Sequence, residues 1–141
     1  MMIRGVAGIF MAVDIMTTAP QALAQDRDAQ PLNQPQPVYP FLAAMFGVQG
    51  ACDVRFSVDE AGLPFGLRTS CTAPVFCHEA ERAVSRVRFL PKILDGHPAV
   101  RPNIIYPLQF LLGVETEDDN NRAQEWLRSL PTEPCEEIAV A

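Results

Sequence analysis

Between Ala51 and Val58 apolar and polar positions alternate. Cys52, Val54, Phe56 and Val58 interleave with Ala51, Asp53, Arg55 and Ser57, the period of two of a half-buried strand. Asp59-Glu60-Ala61-Gly62 breaks the alternation and predicts a four-residue turn, with Gly62 supplying the positive φ that closes such loops. Setting Val58 against Leu63 places Phe56 opposite Phe65, Val54 opposite Leu67 and Cys52 opposite Thr69. The hairpin then has one apolar face and one face carrying Asp53, Arg55 and Arg68. A two-stranded ribbon of this kind is not stable alone, so the remaining chain must supply a covering helix and further strands.

The periodicity changes after Cys71. Phe76, Ala80, Ala83, Val84 and Val87 recur at helical spacing, while Glu79, Glu81, Arg82, Ser85 and Arg86 occupy the other side. This predicts a helix over about 75–88, ended by Phe89-Leu90-Pro91, whose small Ala80 and Ala83 let it lie close to the hairpin. A shorter helix is predicted over Phe41–Gly47, opened by Pro40 and stopped by Gly47. The last strand is predicted over Asn103–Leu112, with Ile104, Tyr106, Leu108, Phe110 and Leu112 on one face. Pro107 lies inside it and has no N–H to give a ladder, which predicts a sheet edge or a bulge. Arg122–Leu130 predicts a short helix that folds back on the open sheet face and buries Trp126 and Leu127.

Composition refines this picture in three places. The 141 residues give room for one domain. Eight acidic residues and two arginines lie between Val114 and Ala141, so this tail carries the whole net charge of −6. No basic patch dominates, which argues against nucleic-acid binding; Arg82, Arg86 and Arg88 read as a solvated helix face. The first residues have the layout of a secretory signal, with Arg4, an apolar run from Gly5 to Val13, and Ala22-Leu23-Ala24 as the cleavage site. An uncleaved membrane anchor is the alternative, but the run falls short of the ~20 residues of a spanning helix. The sequence therefore divides into a signal at 1–24, a flexible Pro/Gln-rich leader at 25–38, a domain at 39–113 and an acidic tail at 114–141.

Export to an oxidising compartment makes disulfides the expected state of Cys52, Cys71, Cys77 and Cys135. Cys71 and Cys77 close the shortest loop and are the preferred pair. Cys52 with Cys71 competes, since the two lie diagonally on one face, and Cys135 has no assigned partner. Cys71, Cys77, His78 and His97 match no common zinc spacing. Neither Ser70 nor Ser85 sits in a nucleophile elbow, and there is no glycine-rich phosphate loop. No catalytic residue, metal or cofactor is expected, and the chain reads as a protein that is not an enzyme.

An ordered series of short motifs resembles the TonB C-terminal domain family. It comprises Tyr39-Pro40, Gly47-Val-Gln-Gly50, Val54-x-Phe56-x-Val58, Asp59-x-x-Gly62, Phe76-x-x-x-Ala80, Arg82-Ala-Val84, Arg88-Phe89-x-Pro91, Asp95-Gly96 and Tyr106-Pro107-Leu108-x-Phe110. The resemblance covers about Tyr39 to Leu112 and departs at Val87, where the family often has tryptophan. It implies an α+β, two-layer sandwich with a three-stranded antiparallel sheet and a helix packed on one face. It also implies a function in transport-related energy transduction, in which the exposed last strand captures an extended segment of an envelope partner such as a TonB-dependent receptor. The residues so implicated are Asn103, Ile104, Ile105, Tyr106, Gln109 and Leu111. Fourteen leader residues reach only about 43 Å at ~3.1 Å each, which matches the binding module and not a complete transducer. The alternative is a structural or assembly protein of the envelope that uses the same edge for homodimerisation, without a transport role.

Overall fold

The computed structural model describes residues 25–135; the signal-type segment and residues 136–141 lie outside that range. In chain order the elements are β1 (Gln30–Pro31), α1 (Phe41–Met45), β2 (Gly50–Val58), β3 (Pro64–Cys71), a 3-10 turn (Pro74–Phe76), α2 (Cys77–Ser85), β4 (Phe89–Leu90), β5 (Lys92–Leu94), β6 (His97–Ala99), β7 (Arg101–Phe110), α3 (Glu117–Ser129) and β8 (Glu133–Pro134). The main sheet is antiparallel in the order β7-β2-β3-β8. The expected three strands are its body, and the short β8 is an addition from the tail. No helix among the described residues is long and apolar enough to cross a membrane.

The alternation in β2 decides the layers. Cys52, Val54, Phe56 and Val58 are buried and meet Phe76, Ala80, Ala83, Val84 and Val87, so the small alanines bring α2 onto the sheet as the sequence predicts. From β7, Leu108 and Phe110 complete this core, with Ile104 and Tyr106 at its margin. Tyr39 ties the chain before α1 into the same core. Its ring stands edge-on to Phe76 and Phe110, with centroids 6.0 and 5.8 Å away, and its hydroxyl donates to the Val48 carbonyl at 2.6 Å. Burial of the phenol pushes its pKa above the ordinary value.

The hairpin register differs from the predicted one. Val58 faces Pro64, Ser57 faces Phe65, Arg55 faces Arg68, Val54 faces Thr69 and Cys52 faces Cys71. Two causes account for the shift. The Asp59 carboxylate accepts from the amides of Ala61 and Leu63, which lengthens the loop by one residue. A bulge around Gly66, whose φ is +64°, then inserts another residue into β3. Phe65 is thereby turned away from Phe56 and stays 45% exposed. Thr69 takes an inward position beside Val54, where its hydroxyl is buried without a hydrogen-bond partner among the described residues.

Residues 25–38 are also not the loose leader that their composition suggests. Gln30 and Pro31 pair with Leu90 and Phe89, and Arg27 bridges Ile93. The Asn33 amide oxygen accepts from the Arg88 amide at 2.8 Å, and Glu79 accepts from the Val38 amide at 2.6 Å. Asp28 binds Arg101 at 2.8 Å, fastening the segment to the start of β7. Backbone pairing supplies here what apolar side chains do not.

The preferred cysteine pair is corrected in the same way. The bonds are Cys52–Cys71 and Cys77–Cys135, and Cys71 is not joined to Cys77. The bulged register brings Cys52 and Cys71 directly opposite at 4.1 Å between Cα atoms. That short spacing belongs to a non-hydrogen-bonded pair, where side chains lie closest.

The tail helix is longer than predicted. Thr116 caps it by accepting from the Asp119 amide at 3.1 Å, and Glu117, Asp118 and Asp119 suit the positive N-terminal end. Leu127 is buried, but Trp126 remains 47% exposed, so the fold-back buries only one of the two expected side chains. Leu127, Leu130 and Thr132 border the same concavity as Ala51, Asp53, Pro107 and Gln109, which places α3 on the sheet face opposite α2.

Candidate functional site: the outer edge of the last strand

β7 hydrogen-bonds to β2 on one side, and among the described residues no strand pairs with its other side. The orientation of its backbone follows from β2. The Ala51 carbonyl accepts from the Thr72 amide at 2.9 Å and the Ala51 amide donates to the Thr72 hydroxyl at 3.0 Å, so Ala51 points both groups toward the β3 side. Its neighbour Cys52 therefore points toward β7, where it faces Leu108. By alternation Ile104, Tyr106, Leu108 and Phe110 spend their backbone groups on β2, while Ile105, Pro107 and Gln109 present theirs outward. The short Cys52–Cys71 spacing supports the same parity from the other side of β2.

Pro107 thus sits where its missing N–H costs no ladder bond. An added strand would find amide donors on Ile105 and Gln109 and carbonyl acceptors on Ile105, Pro107 and Gln109. The side chains of these three residues are exposed, with Ile105 at 51%.

The six residues implicated by sequence divide accordingly. Ile105 and Gln109 carry outward backbone groups. Ile104 and Tyr106 belong to the β2 ladder and the core margin. Asn103 occupies a bulge, where the three steps of β7 from Arg101 to Ile104 answer two steps of β2, and its φ is +55°. Leu111 lies just beyond the end of β7, and the following amide, of Leu112, is taken by the Gln49 side chain at 2.8 Å. Pro107, an edge signal in the sequence and not one of those six, joins the outward row through its carbonyl.

Among the described residues no alternative chemistry gathers elsewhere. The sulfurs of Cys71, Cys77 and Cys135 lie within 4.8 Å of one another, but all three are committed to disulfides. His78 and His97 are both exposed.

The sequence profile described as "Gram-negative bacterial TonB protein C-terminal" matches residues 35–112. The chain belongs to this family. Its curated relative "Protein TonB" of Pseudomonas aeruginosa is 29% identical over 84 residues, a stretch that covers 58% of this chain and 25% of that protein. The chain therefore spans about a quarter of the length of that relative. The solution structure of the Pseudomonas aeruginosa TonB CTD superposes with a TM-score of 0.54 at 25% identity, covering 64% of this chain and 93% of that one. The α+β arrangement of antiparallel sheet and helices is thus that of a TonB C-terminal domain. The matched stretch runs from the leader through Tyr39 to the end of β7, and it stops before α3.

Proposed function

We propose that this chain is a periplasmic protein-binding module that captures an extended peptide of an envelope partner by strand addition along β7. It acts without catalysis, in transport-related energy transduction, and its partner class is the N-terminal segment of a TonB-dependent receptor. Membership of the TonB C-terminal family supports the envelope and transport setting. The observation that carries the mode of binding is the outward row of Ile105, Pro107 and Gln109, unpaired among the described residues. An extended peptide gains main-chain hydrogen bonds on such an edge and selectivity from its alternate side chains.

A backbone NMR titration of residues 25–141 with a panel of receptor N-terminal peptides tests the proposal. Shift changes concentrated between Arg101 and Leu112 are expected. A folded protein whose β7 resonances do not respond to any peptide contradicts it. Shifts there that follow protein concentration alone would mark edge-to-edge homodimerisation instead.

A further inference from the structure

α1 is amphipathic in the inverted sense. At 3.6 residues per turn, Phe41, Leu42, Met45 and Phe46 fall within an arc of about 140°, and Ala43 and Ala44 lie outside it. The helix turns Ala43 into the core and the large side chains out. Phe41 is 74% exposed, Leu42 59%, Met45 56% and Phe46 75%. This is no loose end of chain. Pro40 starts the helix, Tyr39 is held between Phe76 and Phe110 before it, and the Val48 amide closes back on the Ala43 carbonyl at 2.8 Å after it. The fold spends its fixed contacts on presenting four apolar side chains to the outside.

We propose that this face is a homodimer contact, in which α1 of one copy packs against α1 of a second copy of this chain. Two properties favour that occupant. The first is charge. From Ala29 to Cys52 the sequence contains no ionisable acid or base other than Tyr39, so two copies meeting through α1 bring no like charges from this segment together. The absence of lysine or arginine there also deprives the patch of the usual attraction to an anionic bilayer. The second is area. A whole aromatic side chain offers about 150–250 Å², so Phe41 and Phe46 at three-quarters exposure, with Leu42 and Met45, make a patch of roughly 400–600 Å². Two such patches bury roughly 800–1,200 Å², which reaches the lower bound of specific interfaces at about 1,000 Å². The contact uses side chains of α1 and none of the backbone groups of β7, so it stands independently of strand addition.

Sedimentation velocity of the full chain at up to about 100 μM, above the micromolar range of such small interfaces, tests the proposal. A dimer is expected for the wild type and for Phe65→Glu, whose side chain is exposed on β3. Phe41→Glu/Phe46→Glu should raise the dimer dissociation constant by at least about 30-fold, the scale of an aromatic anchor, with an unchanged near-UV spectrum. The milder Met45→Gln/Phe46→Ser should weaken the dimer in the same direction and covers a failure of the charged variant to fold. A monomeric wild type overturns the proposal, as does a dimer that survives both α1 variants or dissolves equally with Phe65→Glu. Binding of a monomeric wild type to phosphatidylcholine vesicles would assign the patch to lipid and overturn it as well.

Discussion

The two edges of the sheet are treated in opposite ways. On the β3 side, β8 pairs Pro134 with Ser70 and Glu133 with Cys71, the Cys135 amide reaches the Thr69 carbonyl at 2.8 Å, and the Cys77–Cys135 bond holds the strand in place. The remaining part of β3 is bulged at Gly66. On the β7 side the ten-residue strand is uncovered among the described residues, with the bulge at Asn103 near its start and Pro107 at an outward position. An unpaired edge invites further strands. A fold that closes one edge with a covalent latch and leaves the longer one open among the described residues offers that longer edge to the proposed strand addition.

Two large effects of similar size are expected, the first from the latch. Replacing Cys77 and Cys135 by alanine removes a crosslink across 58 residues, and denaturant unfolding should show a loss of about 2–4 kcal/mol. Hydrogen exchange of the Cys135 amide should rise with it, while exchange in β7 keeps its pattern. A proline scan sharpens the contrast on the other edge. Tyr106→Pro removes a ladder donor and should cost roughly 3 kcal/mol or more, by analogy with interior helix prolines. Ile105→Pro removes only an outward donor; it should cost less than about 1 kcal/mol and weaken peptide binding. Equal losses for the two variants, by thermal melting, would refute the assigned parity.

Smaller effects concern what holds the leader against α2. The Glu79 carboxyl is held below its ordinary value of 4.5, chiefly by the hydrogen bond from Arg82; burial opposes this, and the Val38 amide adds to the lowering. A lowered folded value means that its stabilisation is complete above the unfolded value and is lost as pH falls through the folded one. Glu79→Gln should therefore cost about 1 kcal/mol at neutral pH, and the difference from wild type should fade below about pH 4.5. Melting curves across this range check it. The smallest change is on the closed side: Thr69→Val removes a buried hydroxyl without a partner among the described residues and should be neutral or stabilising by up to about 1 kcal/mol.

The periodic elements were legible because side-chain alternation alone encodes them. β2, the α2 stripe and the inward residues of β7 follow from spacing, and Pro107 announces an edge because a missing donor is a local property. The two bulges were not legible. Gly66 and Asn103 each add one residue to a strand, and nothing in a period of two records where a strand will slip. That slip moved Phe65 outward and set Cys52 against Cys71, so the disulfide pairing failed with the register. The order of residues 25–38 was hidden because it rests on backbone pairing with β4 and on Asn33, neither of which a composition argument weighs. In the candidate site, the strand and its edge position were visible, but which residues point outward depended on the contacts of Ala51 with Thr72. The exposed arc of α1 could have been found from the same helical spacing, by noting that its alanines and its large residues fall on different sides.

The most direct test of the central claim is residue-resolved amide hydrogen exchange in β7, with and without a bound receptor peptide. In the free protein, the Ile104, Tyr106, Leu108 and Phe110 amides should be protected and those of Ile105 and Gln109 should exchange freely. Bound peptide should protect Ile105 and Gln109. If those two amides are already protected in the dilute free protein, or stay unprotected with peptide bound, β7 is not the open edge that receives a strand.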